Sequence, residues 1–245
     1  MGIILQFAGA TDIGKRRREN QDRWRVLEQA GIAAVADGMG GLPHGAEAAE
    51  KAIAGLTRLM AISPPPDRAG WHALLDRLNQ EVFTLGLELS PDLGIGTTLT
   101  VAHFQNQQLT LAHVGDSAAF RLRAGQLTRL TEEHTVAAEF AAQRASNPLA
   151  RAPLAAEHML TSCLGLPFLP RKDVRTTEVQ AGDRFLLCSD GLTKPVETTD
   201  IASALGQAVS PEAAAAALIG RANAVGGPDN ITVIVVFAAE RADSL

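Results

Sequence analysis

Short apolar runs alternate with longer stretches in which apolar residues return every three or four positions. The short runs, at 5–10, 23–27, 32–36, 97–104, 109–114, 118–123, 175–179, 184–188 and 231–237, predict strands. The turn signals Gln105-Asn106-Gln107 and Ala124-Gly125-Gln126 separate neighbouring runs closely enough to predict antiparallel hairpins and meanders. The last run, Ile231-Thr232-Val233-Ile234-Val235-Val236-Phe237, is apolar nearly throughout and is expected inside a sheet covered on both faces.

Helical spacing falls between the strand groups. Ala49, Ile53, Leu56 and Met60 predict a helix over about 45–61, ended by Ser63-Pro64-Pro65-Pro66-Asp67. Leu74, Leu78, Val82 and Leu85 predict a second over about 70–89. Ser210-Pro211-Glu212 starts a third: a serine cap, a proline in the first turn and an acid beside it, running to about 224. Segment 134–158 is polar, alanine-rich and holds Asn147-Pro148, so it is expected to be partly helical without being rigid. Consecutive strands with helices between and after them predict an α+β fold, antiparallel sheets flanked by helices, in one domain over 1–245.

Composition narrows the class. The chain has 245 residues, 46% hydrophobic and 20% charged, which is enough for one large core. A net charge of −5 argues against a nucleic-acid partner, since phosphate backbones want a basic face. The basic run Lys15-Arg16-Arg17-Arg18 abuts an acidic segment and reads alone as a solvated patch. Cys163 and Cys188 have no metal-type spacing and lie in apolar surroundings, so they are expected as buried thiols in a reducing compartment. No secretory leader or membrane-length apolar run is present, and Gln6 stands where a myristoylation start needs Ser or Thr. The expectation is a soluble, cytoplasmic protein.

Four acidic segments carry the chemistry: Asn20-Gln21-Asp22, Val35-Ala36-Asp37-Gly38-Met39-Gly40-Gly41, Cys188-Ser189-Asp190-Gly191-Leu192 and Gly227-Pro228-Asp229-Asn230. Asp-Gly and Asp-Asn pairs are, singly, ordinary turns. Attached to strand ends, their carboxylates tend to converge at one sheet edge, where they repel unless a cation lies between them. Hard oxygen donors suit Mg²⁺ or Mn²⁺. The glycines after Asp37 let backbone approach an ion closely just before a helix start.

With their neighbours, these segments resemble the type 2C metal-dependent protein phosphatases (the PPM family) in their compact bacterial form. The match runs through Gly14–Asp22 (with Arg17-Arg18-Glu19-Asn20-Gln21-Asp22 at its core), Val35–Gly41, Gly96-Thr97-Thr98, His113-Val114-Gly115-Asp116-Ser117, Leu130-Thr131-Glu132-Glu133-His134, Leu160–Gly165, Asp183–Leu192 and Gly227–Val235, in the family's order. The resemblance implies a four-layer α-β-β-α sandwich with a dinuclear Mn²⁺ or Mg²⁺ site in the cleft between the sheets. It implies that Asp37 bridges the two metals, that the Gly38 carbonyl binds one, and that Asp190 and Asp229 complete the other's shell. Asp22 would orient a metal-bound water and Arg17 would grip the substrate phosphate. Asp116, with Asp190, would hold a third, weaker metal. Two metals about 3.5–4 Å apart acidify a water and clamp phosphate oxygens, so no protein nucleophile is needed. A guanidinium fork suits phosphate better than an ammonium, which favours Arg17 over Lys15.

The chain also departs from its relatives. Gln21 stands where many carry glutamate, Met39 where animal enzymes carry a proposed general-acid histidine, Leu42 replaces a frequent histidine, and Ala118 follows Ser117 where many bacterial relatives have arginine. An alkoxide leaving group wants a proton, which another metal-bound water or His44 would have to supply; His44 reads otherwise as a surface or capping residue at a helix start. His134 reads as a structural hydrogen-bonding residue, and His103, His113 and His158 as satisfied core or edge histidines. Residues 135–158 correspond to the family's mobile flap. The activity implied is hydrolysis of phosphoserine and phosphothreonine on proteins, opposing a bacterial Ser/Thr kinase, by a monomer without nucleic-acid or membrane partners. The rival readings are a non-catalytic metal-binding module, which would be expected to lose Asp37, Asp190 or Asp229, and a phosphatase for small metabolites.

Overall fold

In the computed structural model, side-chain alternation along each strand sorts residues into three apolar layers. On β3 (Ile32–Asp37), Ile32, Ala34 and Ala36 face one way and Ala33 and Val35 the other, all fully buried. The first set packs on α1 (Gly45–Ile62) and α2 (Arg68–Leu89), against Leu56, Leu75 and Leu78. The second meets Phe185, Leu187, Ile234 and Val236 of the opposite sheet. A strand buried on both faces must be apolar throughout, which is why period two is invisible in Ile32-Ala33-Ala34-Val35-Ala36.

The residues described are 2–65, 67–144, 153, 156 and 159–240. One sheet runs in the order β1 (Ile3–Asp12), β10 (Ile231–Glu240), β9 (Arg184–Cys188), β6 (Ala118–Arg123) and β7 (Gln126–Arg129). The other runs β2 (Asp22–Leu27), β3, β4 (Leu99–Gln105), β5 (Gln108–Val114) and β8 (Asp173–Glu178). Every pairing is antiparallel. The outer face of the first sheet is covered by α5 (Thr198–Gln207) and α6 (Pro211–Ala224), through Leu205, Ala214 and Leu218 against Ile231, Val233 and Val235. The result is the expected helix–sheet–sheet–helix sandwich.

All nine predicted strands are present. β10 pairs with β1 and β9 and is buried from Ile231 to Val236. The predicted turns are two-residue loops with both central residues at positive φ, Asn106 and Gln107 (51° and 60°), then Ala124 and Gly125 (49° and 79°), the twist that suits a right-handed hairpin. The edge strand β7 was not predicted; its four residues are largely exposed and polar, so no apolar pattern marks them. The helix α5 was likewise unpredicted, although Ile201, Ala204 and Leu205 form its buried face. Ser210 caps α6 as expected, its hydroxyl accepting from Ala213 N–H at 3.2 Å. The expected flap begins with α3 (Val136–Gln143), capped by Thr135; His158 and most of 145–158 lie outside the described residues. No described helix is long and apolar enough to cross a membrane.

Candidate metal centre

Antiparallel pairing brings the first two acids together: Asp22 opens β2, Asp37 closes β3, and they are direct cross-strand partners. Asp116 lies on the turn from β5 to β6. Asp190 follows β9 and opens the short helix α4 (Asp190–Thr193), and Asp229 sits just before β10. One carboxylate oxygen from each of Asp37, Asp116 and Asp190 lies within 4.8 Å of the others. Two sheets therefore contribute to one cluster, lining a cleft of ≈ 290 Å³ with Arg17, Gln21 and Asp229.

Local bonds hold these acids in place. Asp37 N–H donates to Thr98 Oγ1 and its carbonyl accepts from Thr98 N–H, each at 2.9 Å. The Thr98 hydroxyl also meets Ser117 Oγ at 2.8 Å, tying the end of β3 to the Asp116 turn. Asn230 clamps the loop carrying Arg17: its Nδ2 donates to the Ile13 and Glu19 carbonyls at 3.0 and 2.9 Å, and its Oδ1 accepts from Gln21 N–H at 2.9 Å. Two glycines are required by close approach. A Cβ on Gly38 would stand 2.2 Å from the Gly45 carbonyl oxygen, and one on Gly191 would stand 1.9 Å from that of Asn230. No side chain fits where the Asp190 and Asp229 loops touch.

The charges are under strain. Burial, then the carboxylates of Asp22, Asp190, Asp116 and Asp229, push the Asp37 carboxyl well above its usual range. Burial and Asp190 push Asp116 up to about 7. Burial raises Asp22 to about 6, against the pull of the Thr232 and Ser189 hydroxyls. Asp22 is 3% exposed, and its Oδ1 has no hydrogen-bond partner. Clustered carboxylates that resist ionising together, with a buried oxygen left unpartnered, form an all-oxygen donor set that fits hard divalent cations.

Two cations of the protein reach the cluster. Arg17 Nη2 donates to Asp229 Oδ2 at 2.7 Å, and this bond, outweighing burial, raises the guanidinium further. Asp229 is thus paired with Arg17 and stands outside the three-acid cluster. Lys194, absent from the sequence expectations, pairs with Asp190 and stands 3.9 Å from Asp116 Oδ2. Its position four residues after Asp190 puts the two on one helix face, a spacing too common to single it out in sequence. Burial opposes its charge, and Asp190, Asp116 and Asp37 together hold the ammonium above its ordinary range.

The remaining expected residues divide. Gln21 lines the cleft. His44 occupies the N-cap of α1, its Nδ1 meets Glu47 Oε1 at 2.9 Å, and it is not among the cleft-lining residues. His134 is fully buried: Nδ1 accepts from Gly115 N–H at 3.1 Å and Nε2 faces Asp173 Oδ2 at 3.2 Å. His113 Nε2 faces the Glu132 carbonyl at 3.0 Å and Nδ1 meets Thr100 Oγ1 at 2.8 Å. His103 is buried, its ring 5.7 Å from that of Trp71. Cys163 and Cys188 are buried free thiols, pushed up to about 11 and about 12 by burial, so neither offers a thiolate.

Comparison with known proteins agrees. The profile described as protein phosphatase 2C matches residues 13–222. Serine/threonine protein phosphatase PstP of Mycobacterium tuberculosis is 36% identical over 237 residues, which is 95% of this chain and 45% of that protein. The chain thus spans less than half the length of that relative. Serine/threonine phosphatase stp of Listeria monocytogenes is 33% identical over 235 residues, covering 92% of this chain and 93% of its own. The solved catalytic domain of PstP, described in complex with 2 manganese ions, superimposes with a TM-score of 0.82 at 35% identity, covering 98% of this chain and 100% of that one. A serine/threonine phosphatase from S. agalactiae gives 0.84 at 31% identity, covering 96% of this chain and 100% of that one. With carboxylates from both sheets meeting under Arg17, and with these matches spanning nearly its whole length, the chain belongs to the protein phosphatase 2C family.

Proposed function

We propose that the chain is a single catalytic domain that hydrolyses phosphoserine and phosphothreonine on proteins with the help of two divalent cations, Mn²⁺ or Mg²⁺. The observation that carries this reading is the meeting of Asp37, Asp116 and Asp190 within 4.8 Å at the mouth between the sheets, with Asp229 and Arg17 alongside. The names of the mycobacterial and listerial relatives, and the two manganese ions of the solved PstP domain, support it. Bound at this cage, divalent ions would supply a water acidic enough to attack at neutral pH and a clamp on the phosphate oxygens.

The chain's own residues do the rest. Asp37 and the Gly38 carbonyl would hold one ion, and Asp37 with Asp190 and Asp229 would hold the other. Asp22, whose Oδ1 is buried and unpartnered, would accept a hydrogen bond from the attacking water and so orient it. Arg17 presents a forked donor at the cleft mouth, matched to two phosphate oxygens. The described cleft-lining residues include no histidine, and His44 bonds Glu47, which favours a metal-bound water over His44 as the source of the proton for the leaving alkoxide.

The retained Asp37, Asp190 and Asp229 favour this over a non-catalytic module, and the relatives named as serine/threonine phosphatases favour a protein-borne phosphate over a small metabolite. The setting that fits is a bacterial cytoplasm, where a monomer of this kind opposes a Ser/Thr kinase. Phosphopeptides bearing phosphoserine, phosphothreonine or phosphotyrosine in one sequence context test the reading. Release from the first two and not the third, lost in Asp190→Asn at intact fold, is the expected outcome; normal turnover by Asp190→Asn contradicts it.

A further inference from the structure

Lys194 follows Asp190 by one helical turn, and its N–H bonds to the Asp190 carbonyl at 2.9 Å. That turn delivers the side chain to the Asp190 carboxylate through Oδ2. On its other side the ammonium stands 3.9 Å from Asp116 Oδ2. Asp116 and Asp190 come from the β5–β6 turn and the end of β9, and Lys194 is the positive group that spans them. These are the two acids that, by resemblance, hold a third and weaker cation in bacterial relatives.

We propose that the Lys194 ammonium is a built-in cation that takes the place of the third divalent ion, so that this site holds two ions and not three. The inference rests on the two-ion reading above and adds to it the residue that sets the number.

Three features carry it. The ammonium is a compact point charge with three donors, able to serve two carboxylates at once. It is tethered to one of those acids by a single helical turn, so its local concentration at the bay far exceeds that of any free ion. A divalent ion entering the bay has to compete for the same Asp190 oxygen and then leave a displaced ammonium close by. A lysine on a solvated helix face carries its charge to water; the Lys194 side chain is 34% exposed and its charged end is turned back onto Asp190, which is 13% exposed. A carboxylate has two oxygens, so this pairing does not remove Asp190 from the cage that serves the other two ions.

Counting bound Mn²⁺ tests this without reference to turnover. Metal-stripped protein is titrated with Mn²⁺, the free ion being followed by its electron paramagnetic resonance signal. Wild type is expected to saturate at two ions and Lys194→Met at three. Lys194→Arg, which keeps the charge, is expected to stay at two. Asp116→Asn in the wild-type background is also expected to stay at two, because the bay contributes no ion there. A wild type that binds three ions, a Lys194→Met isotherm that matches wild type, or loss of one ion in Asp116→Asn each overturns the inference and leaves the two-ion reading standing. A wild type that binds no Mn²⁺ overturns both.

Discussion

Ser189 ties the two sheets together at the cluster, its hydroxyl donating to Asp22 Oδ2 at 2.7 Å and accepting from Thr232 N–H at 3.0 Å. Ser189 follows β9 of one sheet and Asp22 opens β2 of the other, so the bond crosses the sandwich where the acids converge. Without it, the buried Asp22 carboxylate, whose Oδ1 already lacks a partner, would lose the bond from Ser189 as well. Ser189→Ala is expected to lower stability by about 1–3 kcal/mol, the usual cost of stranding a buried polar group. Denaturant unfolding should show a lower midpoint at an unchanged slope. An unchanged midpoint would mean that the bond does not hold the sheets.

Arg17 pairs with Asp229 across 212 residues of chain, which sets its guanidinium over the acids. Arg17→Ala is expected to lower kcat/KM for a phosphothreonine peptide roughly 10–150-fold, the equivalent of about 1.5–3 kcal/mol for hydrogen bonds to a charged group. Arg17→Lys should recover only part, since an ammonium cannot present the bidentate fork. Steady-state kinetics check both. An unchanged rate and KM in Arg17→Ala would remove it from phosphate binding.

The buried His113 gives the fold a signed pH dependence. Its burial, with the His134 ring beside it, pushes the imidazole from 6.5 down to about 3. Between those values the unfolded chain binds a proton that the folded chain does not, so stability from this residue is present above pH 6.5 and is lost as pH falls. The slope from one such proton is about 1.4 kcal/mol per pH unit. His113→Gln, compared with wild type by denaturation at pH 7 and pH 5, should be destabilised at pH 7 and lose part of the acid sensitivity. Parallel pH profiles for the two proteins would contradict this.

The fold was legible wherever burial left a mark on one strand at a time. Val233 and Ile234 face different layers, yet both must be apolar, so the run announced itself; Gln126–Arg129, on an open edge, needed no such pattern and was invisible. At the site, Asp37, Asp190 and Asp229 were legible through the glycines and strands attached to them. Lys194 was not, because a lysine four residues beyond an acid is ordinary until a third group, Asp116, is folded against it. The clamp made by Asn230 was hidden similarly, since its partners Ile13, Glu19 and Gln21 lie more than 200 residues away in sequence. His44 illustrates the reverse: its place before a helix was readable, and only the structure turns its ring to Glu47.

The acids between the sheets are proposed to work through divalent cations. Phosphate release from a phosphothreonine peptide, measured before and after chelation, tests this most directly. Excess EDTA is expected to abolish release, and added Mn²⁺ or Mg²⁺ to restore it in a saturable way. Undiminished release in excess EDTA would contradict the proposal.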